Sequence, residues 1–209
     1  WINREGIILE GENKLFSSSI LKLPGIHNLQ NLLMVTSAAR AIGLSPQNIE
    51  KAIKDFQGVP HRLEFIGQVQ ETNIFNDSKA TNYDSAEVAL QAVNSPSILI
   101  AGGQAKEGNA SRWLTELKNN CSGVILFGTS AKTLKEKIDS SGFKNQVWIC
   151  NDLKEAVPLA ISRGLDLKVS TILLSPACSS FDQYKDFEER GNHFKELIIP
   201  FLNIYIKDN

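Results

Sequence analysis

The chain has 209 residues, 42% of them hydrophobic and 22% charged, with a formal net charge of −1. That balance is ordinary for a globular protein and gives no support to a general nucleic-acid binder or a membrane-surface binder. No apolar stretch approaches the ~20 residues needed to span a bilayer, and the three cysteines, Cys121, Cys150 and Cys178, are too scattered for a disulfide framework or a zinc site.

In chain order, 7–9 and 14–20 read as short strands around a turn at Gly11. "LPGIHNLQNLLMVTSAARAIGL" opens a helix, with Leu29, Leu32, Leu33, Thr36, Ala39 and Ile42 at helical spacing. Gly43 stops it, and Pro46 suits the first turn of a second helix carrying Ile49, Ala52, Ile53 and Phe56. "QGVPHR", 57–62, reads as a linker.

Beyond the linker, strands are expected around Leu63, Phe65 and Val69, at Ile74-Phe75, and over 97–101, 123–127, 146–150 and 169–174. Helices are expected over 84–93, 109–119, 130–140, 152–163 and 186–199. Short apolar strands alternating with helices predict an α/β fold, a mostly parallel sheet covered by helices on both faces.

In such a sheet, ligands bind beyond the carboxyl ends of the strands. Three polar loops fall there: "NDSKATN" (76–82), "GGQAKEGN" (102–109) and "SPACSSFDQY" (175–184), with "FGTSAK" (127–132) a weaker fourth. Asp77 and Lys79, two apart, project to one side if the segment is extended. A carboxylate suits a ribose hydroxyl pair and a lysine suits a phosphoryl oxygen. The competing reading is a helix cap at Asn82 or Asp84 beside a weak surface ion pair. Gly102 and Gly103 permit a tight turn under Lys106, a point charge for an anion, although a solvated lysine on an ordinary turn reads equally well. Ser179 and Ser180 lie between a strand and a helix, where hydroxyls and N–H groups suit a carboxylate. Arg62, on the linker, is placed either to clamp phosphates or to form an interdomain salt bridge. His27, Asn28 and Asn31 read as a helix start, with Asn28 as its cap. Cys178 reads as a packed thiol and His193 as structural. No Ser-His-Asp or metal-ligand spacing occurs, and the phosphate-cradling G-x-x-x-x-G-K-[ST] loop is absent from the sequence.

"HNLQN" (27–31), "GVPHRLE" (58–64), "NDSKATN", the "GG…K" of 102–106 and "LLSPACSSFDQYKDFEERGNHF" (173–194) together resemble the C-terminal part of a Mur ligase. The resemblance covers essentially the whole chain and is strongest to the branch that adds D-glutamate to UDP-N-acetylmuramoyl-L-alanine. It implies that 1–57 are the tail of a central ATPase domain and 58–209 a Rossmann-like C-terminal domain. It implies ATP and Mg2+ as cofactors, with phosphate loop, metal ligands and modified lysine expected upstream of Trp1, so that the chain alone is expected to be inactive and to hold no metal. Asn28 and Asn31 are implied beside adenine, Asp77 at the ribose, Arg62 at the nucleotide phosphates and Lys79 at the reacting centre. Thr81, Lys106, Ser180 and Phe187 are implied around D-glutamate, Phe187 through its backbone. Gln104 and Ala105 depart from the expected acidic or glycine residue. The expected setting is a cytoplasmic monomer with no nucleic-acid or membrane partner. A sister Mur or folylpolyglutamate-type ligase, and a non-catalytic nucleotide-binding module, are the alternative readings.

Overall fold

The computed structural model describes residues 1–206 and divides the chain into two units, Trp1–Gly58 and Val59–Asn209. In the first unit, β1 (Ile7–Glu10) and β2 (Asn13–Ser17) form an antiparallel hairpin, and α1 (Ile26–Ala41) and α2 (Pro46–Asp55) follow. The strand expected over 14–20 ends at Ser17, because the serine run turns into a 3-10 segment, Ser18–Ile20. Ser17 Oγ accepts from the Ser19 N–H there, the local hydroxyl-to-backbone bond that competes with strand pairing. Pro46 stands at the start of α2, where Ser45 caps the Asn48 N–H. Ile8, Phe16, Leu32, Ile49 and Ile53 form this unit's core.

The second unit is built on β3 (Glu64–Val69), β4 (Thr72–Asn76), β5 (Ser97–Gly102), β6 (Cys121–Phe127), β7 (Gln146–Ile149) and β8 (Thr171–Leu174). They form one sheet in the order β3-β4-β8-β5-β6-β7. Only β3 runs antiparallel, paired to β4; β4, β8, β5, β6 and β7 are mutually parallel. The helices are α3 (Tyr83–Ala92), α4 (Ser111–Asn120), α5 (Ala131–Ser140), α6 (Leu153–Asp166) and α7 (Phe187–Ile206).

Strand side chains alternate between faces, so the sheet carries two cores. Leu99, Ala101, Val124, Leu126 and Leu173 pack with residues of α3, α4 and α5. Ile98, Ile100, Ile125, Phe127, Ile172 and Leu174 pack with residues of α6 and α7. Both faces of β5 and β8 are therefore buried, which is why those strands are continuously apolar.

The order also positions the site. β4, β8, β5 and β6 are consecutive neighbours pointing the same way, so the loops leaving their carboxyl ends must stand side by side. Neighbouring strands lie about 4.8 Å apart, which keeps four loops within roughly 15 Å. Those loops are the three polar segments and "FGTSAK". No described helix is long and apolar enough to cross a membrane.

Candidate functional site

The loop after β4 does not stay extended. Ala80 N–H donates to Asp77 C=O (2.9 Å), closing a turn over 77–80. Asp77 and Lys79 therefore part: Asp77 is 5% exposed, whereas Lys79 is exposed and its Nζ lies 5.0 Å from the centre of the Phe187 ring. The same-side projection expected from an extended segment is corrected by this turn. Asp77 faces the protein, its carboxylate accepting from Ser175 Oγ at 2.7 Å and from Leu63 N–H at 3.2 Å. Burial pushes its carboxyl up to about 7, against the opposing pull of those two donors and of Arg62 and Arg190.

Arg62 is exposed on a turn whose flanks, His61 and Leu63, both take left-handed backbone angles, with φ of 62° and 43°. Non-glycine residues reach that region at a cost, so something must hold them. His61 N–H donates to Glu64 Oε2 (2.9 Å), and Lys79 N–H donates to His61 C=O (3.0 Å). The His61 ring is buried, with Nδ1 3.0 Å from Asn76 Nδ2. Burial, with a contribution from Lys195, lowers its pKa below the ordinary imidazole value, which keeps the ring neutral at neutral pH.

Arg190, on α7, was given no role by the sequence. It is fully buried, and its guanidinium donates from Nε to Ser78 Oγ (2.9 Å), from Nη2 to Ser78 C=O (2.8 Å) and from Nη1 to Cys178 C=O (3.0 Å). Ser78 Oγ donates onward to Phe187 C=O (2.8 Å). One planar cation thus pins the "NDSKATN" loop to the loop after β8, using the fork geometry a lysine lacks. Burial draws the Arg190 pKa down to about 10, still high enough to keep the charge at neutral pH. The readable signal was Gly191, a glycine inside a helix: a Cβ there would collide with the His61 ring.

The loop after β5 is tied to the same place. Gln104 and Ser179 exchange backbone hydrogen bonds, 2.9 Å one way and 3.0 Å the other. Gly103, at φ 125°, has no room for a side chain against Ser179 C=O. Its own carbonyl accepts from Ser130 N–H (3.0 Å), which joins the loop after β6. Gln104, where the sequence departs from expectation, is thus the bridge to the serine loop. Lys106 Nζ stands 3.5 Å from Thr81 Oγ1. Beside them Asn82, Tyr83, Asp84, Lys106, Glu107, Gly108, Asn109 and Ala177 line a cavity of about 300 Å³.

Ser180 is 2% exposed and does not begin a helix. Its carbonyl accepts from Gln183 and Tyr184 N–H, closing a turn, and α7 starts only at Phe187. The N–H groups of that helix start belong to residues near Asp186, whose Oδ1 accepts from Glu189 N–H (2.8 Å). Ser180 therefore stands in a turn, not at the helix start expected from the sequence. Cys178 is buried, and burial raises its thiol above the ordinary range, as a packed thiol requires. Asn82, not Asp84, caps α3 by accepting from Ser85 N–H (2.9 Å).

In the first unit, α1 begins at Ile26 with Gly25 as its cap, so Asn28 is not the cap. It lies in the first turn, donating from Nδ2 to Pro24 C=O (2.6 Å). Asn31 is exposed one turn later, on the same side of the helix. Among the described residues, no group of three or more His, Cys, Asp or Glu side chains could hold a metal ion.

A family model described as "Mur ligase, glutamate ligase domain" matches residues 61–178. A UDP-N-acetylmuramoylalanine–D-glutamate ligase of Prochlorococcus marinus (strain MIT 9313) is 52% identical over 97% of this chain, which covers 44% of that relative. The protein of that name from Synechococcus sp. (strain CC9902) is 48% identical over 98% of this chain and 44% of its own length. The chain therefore spans less than half the length of these curated relatives. Among solved structures, Mycobacterium tuberculosis folylpolyglutamate synthase, complexed with ADP and AMPPCP, superposes with TM-score 0.67 at 15% identity. That match covers 92% of this chain and 47% of the other. UDP-N-acetylmuramate-alanine ligase MurC of Thermotoga maritima gives TM-score 0.61 at 20% identity over 86% of this chain and 39% of its own. At those identities the two structures speak for the fold alone.

Proposed function

The chain belongs to the Mur ligase family, and on that premise we propose that it is part of an ATP-dependent ligase joining D-glutamate to UDP-N-acetylmuramoyl-L-alanine. The substrates are taken from the name carried by relatives 48% and 52% identical to it. Residues 1–57 are assigned to the tail of an ATPase domain and 58–209 to the domain that closes over the site.

In this reading the L-alanyl carboxylate attacks the γ-phosphorus of ATP, ADP leaves, and an acyl phosphate forms. The D-glutamate amine then attacks the acyl carbon, inorganic phosphate leaves, and the nitrogen sheds a proton. The protein's share is positioning and charge neutralisation. Lys79 neutralises charge at the reacting centre, and Arg62 does so along the phosphates. Asn28 and Asn31 flank adenine. Lys106, Thr81, Ser180 and the backbone of Phe187 surround D-glutamate. Asp77 belongs to the nucleotide side of the site. Among the described residues no cluster of carboxylate or imidazole side chains forms a Mg2+ site.

The observation that carries the proposal is the meeting of Lys106 and Thr81, 25 residues apart, beside a cavity of about 300 Å³. Lys106 supplies the cation of that lining, with the Thr81 hydroxyl beside it, whereas Asp84 and Glu107 also line the cavity, so the carboxylates of D-glutamate are assigned to the Lys106 side. In the full-length enzyme, Lys106→Ala is expected to raise the KM for D-glutamate about tenfold or more while changing that for ATP less than about twofold. Unchanged D-glutamate kinetics removes Lys106 from the site. A panel of amino acids in the same assay separates D-glutamate from a sister ligase's substrate. Absence of acceptor-dependent ADP release with every amino acid leaves a non-catalytic nucleotide module.

A further inference from the structure

Lys79 is exposed between two buried neighbours, Ser78 and Ala80. A solvated lysine samples many rotamers, so an ammonium kept in one place needs a partner. Among the described residues, no carboxylate lies within ion-pair distance of Lys79. Its Nζ stands instead 5.0 Å from the centre of the Phe187 ring. Both partners are anchored through their backbones. Lys79 N–H donates to His61 C=O (3.0 Å), and Phe187 C=O accepts from Ser78 Oγ (2.8 Å). Arg190 Nε donates to that same hydroxyl (2.9 Å), which ties the first turn of α7 to the residue before Lys79. The Phe187 ring also meets the buried His61 ring, with centres 6.2 Å apart and planes at 78°, an edge-to-face packing that fixes its tilt.

We infer that Phe187 is a positioning residue whose ring holds the Lys79 ammonium through its π face. The inference rests on the proposed placement of Lys79 at the reacting centre, and it adds a side-chain role to the backbone role given to Phe187. An aromatic face suits this task better than a carboxylate. Both attract an ammonium, but a carboxylate brings a full negative charge, which offsets that of the lysine and repels a phosphoryl oxygen. The ring's quadrupole orients the ammonium and leaves its charge and its N–H donors for the phosphoryl group. With its backbone beside D-glutamate and its ring beside Lys79, one residue sets the amino acid and the lysine relative to each other.

The test is steady-state kinetics of the full-length enzyme. Phe187→Leu keeps the backbone and an apolar side chain but removes the quadrupole. It is expected to lower kcat about two- to fivefold, the strength of an exposed cation–π contact, while the KM for D-glutamate changes less than about twofold. Phe187→Tyr keeps the aromatic face and is expected to keep about half of kcat or more. Para-fluoro-, 3,5-difluoro- and 3,4,5-trifluorophenylalanine at this position change its size little and drain the face stepwise, so kcat is expected to fall with each added fluorine. In a Lys79→Ala background the same replacements are expected to cost nothing further. A kcat level across the fluorine series, or equal losses with and without Lys79, overturns the inference. A second readout does not need activity. In full-length protein carrying lysine labelled with 13C at Cε, the Lys79 proton signal, assigned by its loss in Lys79→Arg, is expected to lie upfield through the ring current and to move back in Phe187→Leu. If the wild-type enzyme shows no D-glutamate-dependent ADP release, the functional reading fails, yet that displacement still upholds the hold of the ring on Lys79. A Lys79 signal that Phe187→Leu does not move overturns it.

Discussion

A buried arginine with no carboxylate against it is expensive, and Arg190 is tolerated because its fork meets three acceptors at 2.8 to 3.0 Å. Its removal leaves the Ser78 and Cys178 carbonyls without that donor, and a buried polar group left unmet costs about 1–3 kcal/mol. Arg190→Met is therefore expected to destabilise the protein by about 3 kcal/mol or more in urea denaturation. Arg190→Lys should recover less than half, since one ammonium cannot span both carbonyls and the hydroxyl. Asp77 supplies a prediction of opposite flavour. Its folded-state pKa, about 7, is raised by burial above the ordinary aspartate value of 3.8, so the native state holds the proton more tightly than the unfolded chain. Its contribution to stability is full below the unfolded value, declines as pH rises toward the folded value, and is flat above it. The stability difference between wild type and Asp77→Asn should fall between pH 4 and 7, by at most about 1.4 kcal/mol per pH unit. A difference that rises with pH over that window would contradict the burial argument. At this scale the sequence named Asp77, Lys79, Arg62 and Lys106 as chemistry, and nothing in it showed which of them faces inward. Arg190 went unread because "DFEERGNHF" looks like a solvated helix face until the position of Gly191 is weighed.

Secondary elements were the most legible level, because the apolar strands and the intervening helices each announce their own period. α7, like β2, departs from its expected end. It runs through Pro200 to Ile206, whereas the rule that helices stop before proline places its end at 199. Proline removes one N–H donor, and a helix whose apolar residues Phe194 and Ile198 are buried in the core has packing enough to offset that. The loops were legible as polar and glycine-rich, though their mutual ties were not, since a backbone bridge such as Gln104–Ser179 uses no side-chain identity. Gly103 shows what sequence does retain. Its φ of 125° and the approach of Ser179 C=O exclude any side chain. Gly103→Ala is expected to destabilise by about 2 kcal/mol or more and to loosen the loops after β5, β6 and β8 together. Thermal unfolding gives the first, and hydrogen exchange at 102–106, 128–131 and 177–181 gives the second. Loosening confined to 102–106 would mean that the bridge does not couple the loops.

Across the whole chain, the sequence predicted a mostly parallel sheet but could not predict its order. β8 is the last strand made and lies between β4 and β5, a placement set by which faces fit, long after the local period has been spent. That late insertion brings the serine loop between the other two, so the site as a cluster depends on a pairing of high sequence separation. The two units differ in the same respect. The second has two cores around a sheet of six strands. The first has a core of Ile8, Phe16, Leu32, Ile49 and Ile53, while Ile26, Met34, Val35 and Ile42 of the α1 region are exposed. A unit of that size buries too little apolar surface to offset the ordering of its chain. Residues 59–209 expressed alone are therefore expected to unfold in one cooperative transition with the near-ultraviolet signal of a packed core around Trp113, which is fully buried. Residues 1–58 alone are expected to show neither cooperativity nor amide protection. A cooperative transition from the smaller piece would mean that its exposed apolar residues are covered by self-association, and its midpoint would then rise with protein concentration. A midpoint independent of concentration would show instead that five buried apolar side chains suffice.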